Sequence, residues 1–484
     1  MILGNLLENV EVIKTTASND IEVSGVCFDT RKLQKGDLFV AIKGYDVDGH
    51  KYIKEAVRLG ASCVVCEDAP EVAVPYAVVS DTRKALALIS AVWFGHPAKE
   101  IKLIGVTGTN GKTTVTTLLK DIIEKSTGKM AGLIGTSVNM IGHIPLPAMN
   151  TTPESYALHE LLRSMIDLGC EYAVMEVSSH ALALHRVYGI EFDVGIFTNL
   201  SQDHLDFHET MEKYAQAKAM LFAQSKKSAI NIDDDYAKIM IDRVSGELFT
   251  YAVENSGADM VGKNVRLSSD KVKYCVLAAD KLFRVELNIP GMFSVYNSLA
   301  VLSAASLLGL DIEVVAELLP SCLGVKGRAE VVATDRDYTI IIDYAHTPDA
   351  LEKIITAVSA GAKGRVITLF GCGGDRDTTK RPIMGAIAAK LSDFVIVTSD
   401  NPRTEDPQKI IDQILLGMDD YKTPKQVIVS RHEAINWALS NGQKDDVIIL
   451  AGKGHETYQV LGKEEIHFDE REVVAQWLLE NKVK

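Results

Sequence analysis

The chain has 484 residues, 47% of them hydrophobic and 24% charged, with a formal net charge of -14 from 51 basic and 65 acidic side chains. This length suggests about three domains of ~150 residues each, and the composition is that of an ordinary globular protein with ample core. The acidic balance argues against a general nucleic-acid or anionic-membrane binder, but leaves room for an anionic small molecule in a local basic pocket.

The first residues, MILGNLLENVEVIK, carry acidic groups and no basic n-region, so they do not read as a signal peptide. No uninterrupted apolar run reaches ~18 residues, so no membrane span is expected. Seven cysteines are scattered along the chain. The close pair Cys63 and Cys66 lies in an apolar, strand-like run and reads as buried thiols in a reducing cytoplasm.

In chain order, residues 37–42 and 61–67 read as strands, with a helix over 50–60. A turn-prone stretch at 95–102 closes a first domain of residues 1–98. Residues 101–232 then alternate apolar strands (IKLIGVTG, EYAVMEVSS, VGIFTNLS, KSAINIDD) with helices, which predicts a parallel sheet covered on both faces. LFTYAV, KYCVLAA and FRVELNIP predict a β-rich insertion between 246 and 290, followed by a helix over 293–309. From residue 330 a third α/β unit follows, with strands YTIIIDYA, RVITLFG, DFVIVTSD, KQVIVS and DVIILAG. The expected fold is α/β in three domains: 1–98 mixed, 99–329 of P-loop ATPase type with a β-rich addition, and 330–484 Rossmann-like.

GVTGTNGKTT (105–114) falls between a strand and a helix, where a phosphate cradle belongs. Backbone N–H groups at a helix start bind phosphate oxygens, Lys112 supplies charge and Thr113 can reach Mg²⁺. The spacing differs from G-x-x-x-x-G-K-[ST], because Val106 stands where the first glycine would be. The variant TGTNGKTT resembles the loop of the Mur ligase family, whose members include folylpolyglutamate synthases. The resemblance implies an ATP-dependent carboxylate–amine ligase acting through an acyl phosphate. Gly108, Thr109, Asn110, Gly111, Lys112, Thr113 and Thr114 would bind ATP.

Such a ligase needs cations around the transferring phosphoryl group. Glu176 and His204 stand at neighbouring strand ends and resemble the family's metal-binding pair, with Asp203 and His208 outside it. The segment TNLSQDHLDFHETMEKYAQAKAMLF (198–222) resembles the family's, in which the lysine matching Lys218 is carbamylated. The implied catalytic set is Lys112, Glu176, His204 and Lys218, with Thr113, Glu176, His204 and carbamylated Lys218 around Mg²⁺. GMFSVYNSLAV (291–301) resembles the adenine-side motif, through Asn297. Arg328, Asp343 and His346 would complete the ATP site from the hinge and the next domain, excluding water on closure.

GVCFDTRKLQKGDLFVAIKGYDVDGHKYI (25–53) resembles the uridine-binding domain of the branch that adds the third amino acid of the peptidoglycan stem. This implies Phe28, Thr30, Tyr45, Asp46 and Val47 as contacts of a UDP-N-acetylmuramoyl-dipeptide. NTTPES and EVSSHALALHRV add Asn150, Thr151, Thr152, Ser178 and Arg186, while Leu184 departs from the glutamine of some members.

In the third domain LFGCGGDRDTTKRP fails a dinucleotide fingerprint, because Arg376 replaces its last glycine. By resemblance Arg376 holds a carboxylate of the incoming amino acid, and Asp400 and Glu456 hold an ammonium. Asn401, Pro402 and Arg403 form the grip on a second carboxylate, with Gly452 permitting close approach. DNPR resembles the meso-diaminopimelate-adding form. A lysine-adding form, or less plausibly a P-loop nucleotide switch, remains an alternative. The implied partners are ATP, the UDP-dipeptide and diaminopimelate, with neither nucleic acid nor membrane, and a monomer is expected.

Overall fold

The computed structural model describes residues 1–44, 47–279, 281–322 and 324–481. Met1–Asp259 with Ala300–Asp311 form one compact unit, and Met260–Leu299 with Ile312–Lys484 form a second.

The first unit begins with a five-stranded sheet: β1 (Val12–Thr15), β2 (Val26–Cys27), β3 (Leu38–Val40), β4 (Cys63–Cys66) and β5 (Tyr76–Val79), in the order β1-β5-β4-β3-β2. All neighbours are parallel except β1 against β5. Because side chains alternate across a strand, β3, β4 and β5 feed two cores. Leu38, Val40, Cys63 and Val65 pack on one face, and Phe39, Val64 and Cys66 on the other. Burial pushes the Cys63 and Cys66 thiols up to about 12 and about 11, as inert buried sulfurs. The helix expected over 50–60 is broken in two. Asp48 accepts the His50 N–H and starts a 3₁₀ turn, Gly49–Tyr52, and the α-helix proper is Ile53–Arg58.

Next come β6 (Lys102–Thr107), β7 (Ala131–Ile134), β8 (Asn139–Ile141), β9 (Ile144–Leu146), β10 (Tyr172–Glu176), β11 (Phe192–Phe197), β12 (Ser225–Asn231) and β13 (Glu247–Ala252). They lie in the order β13-β12-β11-β6-β10-β7-β8-β9. From β13 to β7 every pair is parallel, as the strand–helix alternation predicts, while β8 and β9 add an antiparallel hairpin. The expectation for LFTYAV is corrected: β13 belongs to the parallel sheet and not to the β-rich insertion. Tyr251 is fully buried there and its hydroxyl donates to the Phe197 carbonyl at 2.9 Å, an anchor that a solvent-facing insertion strand would lack.

In the second unit β14 (Met260–Leu267), β15 (Val272–Ala278) and β16 (Lys281–Leu287) form the antiparallel insertion. Six further strands follow: β17 (Glu330–Val332), β18 (Thr339–Asp343), β19 (Val366–Phe370), β20 (Phe394–Val397), β21 (Lys425–Val427) and β22 (Val447–Ala451). Their order is β17-β18-β22-β19-β20-β21, and all but β17 are parallel. Ile340, Ile342, Leu369, Ile448 and Leu450 are fully or almost fully buried, each contributing ~1.5–3 kcal/mol of hydrophobic stabilisation. The last of the six in sequence, β22, sits between β18 and β19. That reversal opens a crevice at the carboxyl ends of the strands, where ligands bind in open α/β sheets. A small hairpin, β23 (Tyr458–Leu461) and β24 (Glu464–His467), follows it. Among the described residues no helix is long and apolar enough to cross a membrane.

Candidate active site

The loop after β6 is locked onto the end of β11. Thr109 N–H donates to the Asn199 carbonyl at 2.8 Å, and Asn110 N–H to Asn199 Oδ1 at 3.0 Å. Thr198 Oγ1 donates to the Asn110 carbonyl at 2.7 Å. Gly108 has φ +149°, and a Cβ on it would overlap Thr198 Oγ1. Gly111, at φ +86°, turns the chain into the helix Lys112–Thr127. The glycines therefore stand where the close approach and the left-handed turn demand them. Lys112 Nζ donates to the Gly108 and Thr109 carbonyls at 2.8 and 2.9 Å, and Thr114 lies in the first turn.

Glu176, at the end of β10, is the acidic centre of this edge and is 1% exposed. Thr113 Oγ1 donates to its Oε1 at 3.0 Å. Thr136 was not singled out from sequence, yet it gives Glu176 two bonds, N–H to Oε1 at 2.8 Å and Oγ1 to Oε2 at 3.1 Å. Its signal was positional: it follows β7, the neighbour of β10 in a parallel sheet. The substrate-like motifs join the same residue through its main chain and through Thr136. Thr152 Oγ1 donates to the Glu176 carbonyl at 2.8 Å, and Thr151 Oγ1 lies 3.0 Å from Thr136 Oγ1. Ser178 N–H donates to Thr152 Oγ1 at 3.1 Å, while Arg186 Nη1 donates to the Thr152 carbonyl at 3.0 Å and Arg186 Nε lies 3.3 Å from Glu154. Asn150 is exposed.

Lys218 is 1% exposed, although its sequence context is that of a surface lysine. Its Nζ donates to the Gly108 carbonyl at 2.8 Å and lies 4.5 Å from the centroid of the Tyr214 ring. Burial, and then the Lys112 charge, drive its pKa well below the lysine range. Tyr214 ties the helix to the loop, its hydroxyl 3.2 Å from Thr109 Oγ1. Burial pushes that phenol up to about 12. His204, at φ +51°, is half exposed beside Asp203 and packs edge-on against His180, with ring centroids 4.8 Å apart. His208 is buried against Ser179 Oγ at 2.9 Å, and burial lowers it to about 4. Among the described residues no three His, Cys, Asp or Glu side chains converge as a metal cage.

In the first domain Phe28 packs against Tyr156, Thr30 sits in a turn and Val47 is exposed. Tyr45 and Asp46 lie outside the described residues.

In the second unit Asn297 is buried within the helix Met292–Leu307. Arg328 stacks over the Tyr344 ring at 5.3 Å. Asp343 accepts N–H bonds from Ala329 at 2.7 Å and Ala345 at 2.9 Å, and burial raises its pKa. His346 is exposed, with Nδ1 2.8 Å from the Tyr344 carbonyl.

The crevice beside β22 holds a cavity of about 330 Å³, lined by Arg376, Asp400, Asn401, Arg403, Gly452 and Glu456 together with Tyr344, His346 and Lys380. Six of the seven residues read from sequence as the amino-acid pocket meet here, and Pro402 is the buried link between Asn401 and Arg403. Asp400 Oδ2 is buried without a hydrogen-bond partner among the described residues, 4.0 Å from the buried Arg431. A Cβ on Gly452 would stand 2.7 Å from that oxygen. Arg403 adopts φ +52°, and its Nη1 donates to the Gly374 carbonyl at 2.8 Å. The adjoining wall is braced by fully buried Arg381, which grips both Glu405 oxygens at 2.8 Å and holds that carboxyl down at about 2.

Comparison with known proteins agrees along the whole length. Residues 22–99 match a model described as the Mur ligase family catalytic domain, 106–305 the Mur ligase middle domain, and 327–454 the Mur ligase glutamate ligase domain. The UDP-N-acetylmuramoyl-L-alanyl-D-glutamate--2,6-diaminopimelate ligase of Caldanaerobacter subterraneus subsp. tengcongensis is 49% identical, covering 99% of this chain and 100% of that protein. The ligase of the same name from Clostridium botulinum is 46% identical over the same shares. A solved structure under that name superposes with a TM-score of 0.79 at 31% identity, covering both chains fully. The chain belongs to the Mur ligase family.

Proposed function

We propose that the protein is an ATP-dependent carbon–nitrogen ligase that joins meso-2,6-diaminopimelate to the D-glutamate γ-carboxylate of UDP-N-acetylmuramoyl-L-alanyl-D-glutamate. The reaction is a cytoplasmic step of peptidoglycan biosynthesis, on which cell-wall growth, cell shape and division depend. The observation that carries the reading is the two-signed cavity, one small volume lined by Arg376 and Arg403 together with Asp400 and Glu456. Such a pocket suits an amino acid with two carboxylates and a distal ammonium.

The division of labour follows the chain. Residues 1–98 take the uridine nucleotide, 99–329 take ATP, and 330–484 take the amino acid. Backbone N–H groups from Gly108 to Thr114 receive the phosphates at the start of the helix, and Lys112 swings from its loop carbonyls onto them. Thr113 and Glu176, adjacent at 3.0 Å, are hard oxygen donors that leave positions for water and phosphate, which fits Mg²⁺. With His204 and carbamylated Lys218 they would hold that ion, which neutralises charge on the transferring phosphoryl group. The burial of Lys218 favours its neutral amine, the form that adds carbon dioxide and releases a proton. Asn297, Arg328, Asp343 and His346 serve the nucleotide from the following segments.

The γ-phosphoryl group moves from ATP to the substrate carboxylate, giving ADP and an acyl phosphate. The amine then attacks the carbonyl carbon, phosphate leaves, and the nitrogen sheds its proton. Arg403 facing the distal carboxylate favours diaminopimelate over lysine, whose terminal ammonium would meet a like charge. The test is phosphate release from ATP and Mg²⁺ with the UDP-dipeptide present. Release should require diaminopimelate. Release without any amino acid would overturn the ligase reading, and release with lysine alone would overturn the donor assignment.

A further inference from the structure

Asn401 lies in the wall of the donor cavity, and what it can bind depends on which way its amide faces. Its Oδ1 receives two hydrogen bonds, from Lys453 Nζ at 3.1 Å and from Val460 N–H at 3.1 Å. Its Nδ2 donates to Glu456 Oε2 at 3.0 Å. Lys453 Nζ donates to that same Glu456 oxygen at 3.1 Å, which closes a triangle of three side chains. Turning the amide over would set Nδ2 against two donors and Oδ1 against a carboxylate. The amide is therefore held in one orientation by its hydrogen-bond partners.

The amide carries two acceptor lone pairs and two donor hydrogens. Both lone pairs are taken by Lys453 and Val460, and one hydrogen is taken by Glu456. Among the described residues the capacity left over is one N–H. To a ligand in the cavity Asn401 is thus a donor and nothing else, which suits a carboxylate and rejects an ammonium.

Lys453 is fully buried and is not part of the cavity lining. A buried ammonium is costly unless paired, and this one has a carboxylate, an amide oxygen and the Tyr458 ring, whose centroid is 5.6 Å away. We propose that Lys453 is a specificity-positioning residue. By occupying the second lone pair of Oδ1 it leaves Asn401 a donor-only group and so biases the pocket toward an amino acid with a distal carboxylate over one ending in an ammonium. The inference rests on the donor assignment proposed above and adds a residue that acts from behind the pocket wall.

The test is Lys453→Met, which keeps length and apolar bulk but removes the donor, with Lys453→Arg as the conservative variant. Ligation is measured with meso-diaminopimelate and with L-lysine, alongside the KM for ATP. The expected result is a fall of about tenfold in the diaminopimelate-to-lysine ratio of kcat/KM, carried by KM for the amino acid. KM for ATP stays unchanged, and the Arg variant recovers part of the ratio. Asn401→Asp offers only acceptors at that point while leaving Lys453 in place, and should also erode the preference. An unchanged ratio in folded Lys453→Met protein, or equal changes in KM for ATP and amino acid, overturns the proposal. If Lys453→Met does not fold, an unchanged ratio in Asn401→Asp does so. Should wild-type enzyme ligate neither amino acid, the function fails first. Calorimetric binding of the two amino acids to wild type and variants then still reads the bias.

Discussion

Replacing Arg403 by alanine separates the recognition of the amino acid from everything else the enzyme does. The residue sits at φ +52°, a region that costs about 1 kcal/mol or more for any residue with a Cβ. Alanine also has a Cβ, so this strain is common to both proteins and cancels. One intramolecular bond is lost, from Nη1 to the Gly374 carbonyl at 2.8 Å, which slackens one turn of the cavity wall. What remains is the contact with the distal carboxylate of the ligand. A hydrogen bond to a charged group contributes about 1.5–3 kcal/mol, so the KM for diaminopimelate should rise by roughly 10- to 150-fold. The KM for ATP should not move, because Arg403 faces the donor cavity. Lysine should become a less poor substrate once the like charge is gone. Steady-state phosphate release, titrating each substrate with the others saturating, reads all three. Equal increases in KM for ATP and diaminopimelate would refute the reasoning, because they would mean the loop had simply collapsed.

Lys218→Met should lower kcat by about 100-fold or more with little change in substrate KM, in line with the loss of a group used only during phosphoryl transfer. A normal kcat would remove the carbamate from the mechanism. Gly108→Ala forces a Cβ against Thr198 at φ +149°, so a stability loss of about 1–3 kcal/mol and loss of ATP binding are expected by thermal denaturation and nucleotide titration. An alanine variant with native ATP affinity would show the loop to be looser than described. His159 is buried, neither ring nitrogen has a hydrogen-bond partner among the described residues, and burial lowers its pKa from 6.5 to about 4. The unfolded chain therefore takes up its proton first as pH falls, and stability is lost between pH 6.5 and 4. That interval corresponds to about 3 kcal/mol at 1.36 kcal/mol per pH unit. His159→Leu should lack this component, so its stability relative to wild type should rise by about that amount from pH 7.5 to 4 in urea titrations. A constant difference would contradict the burial argument.

The parallel sheets, the glycine-bearing loop after β6 and the two-signed crevice beside β22 were legible because each rests on local signals: apolar runs, fixed glycine positions, and charge placed at strand ends. Residues 376, 400–403 and 452–456 are far apart in sequence. They converge because β19, β20 and β22 present their carboxyl ends to one crevice, which strand–helix alternation already implies. Lys218 was not legible as buried, because its helix context YAQAKA is mostly small or polar. Its amine lies between the Gly108 carbonyl and the Tyr214 ring, a long-range contact that no local pattern announces. LFTYAV looked like its antiparallel successors because parallel and antiparallel strands share an apolar pattern, and the partner strand decides. Thr136 and Lys453 escaped notice for a related reason. Thr136 follows a strand with no motif of its own, Lys453 sits unremarked inside the 452–456 stretch, and the importance of each is a matter of which carboxylate it faces.

Glu176 has a consequence for kinetics. Its side chain is shared between Thr113 of the phosphate loop and Thr136, while its carbonyl holds Thr152. A ligand that draws the carboxylate toward the nucleotide must loosen its grip on Thr136, and Thr136 in turn touches Thr151. Displacing the Glu176 side chain would therefore be felt in both loops at once, through Thr113 on one side and through Thr136 and Thr151 on the other.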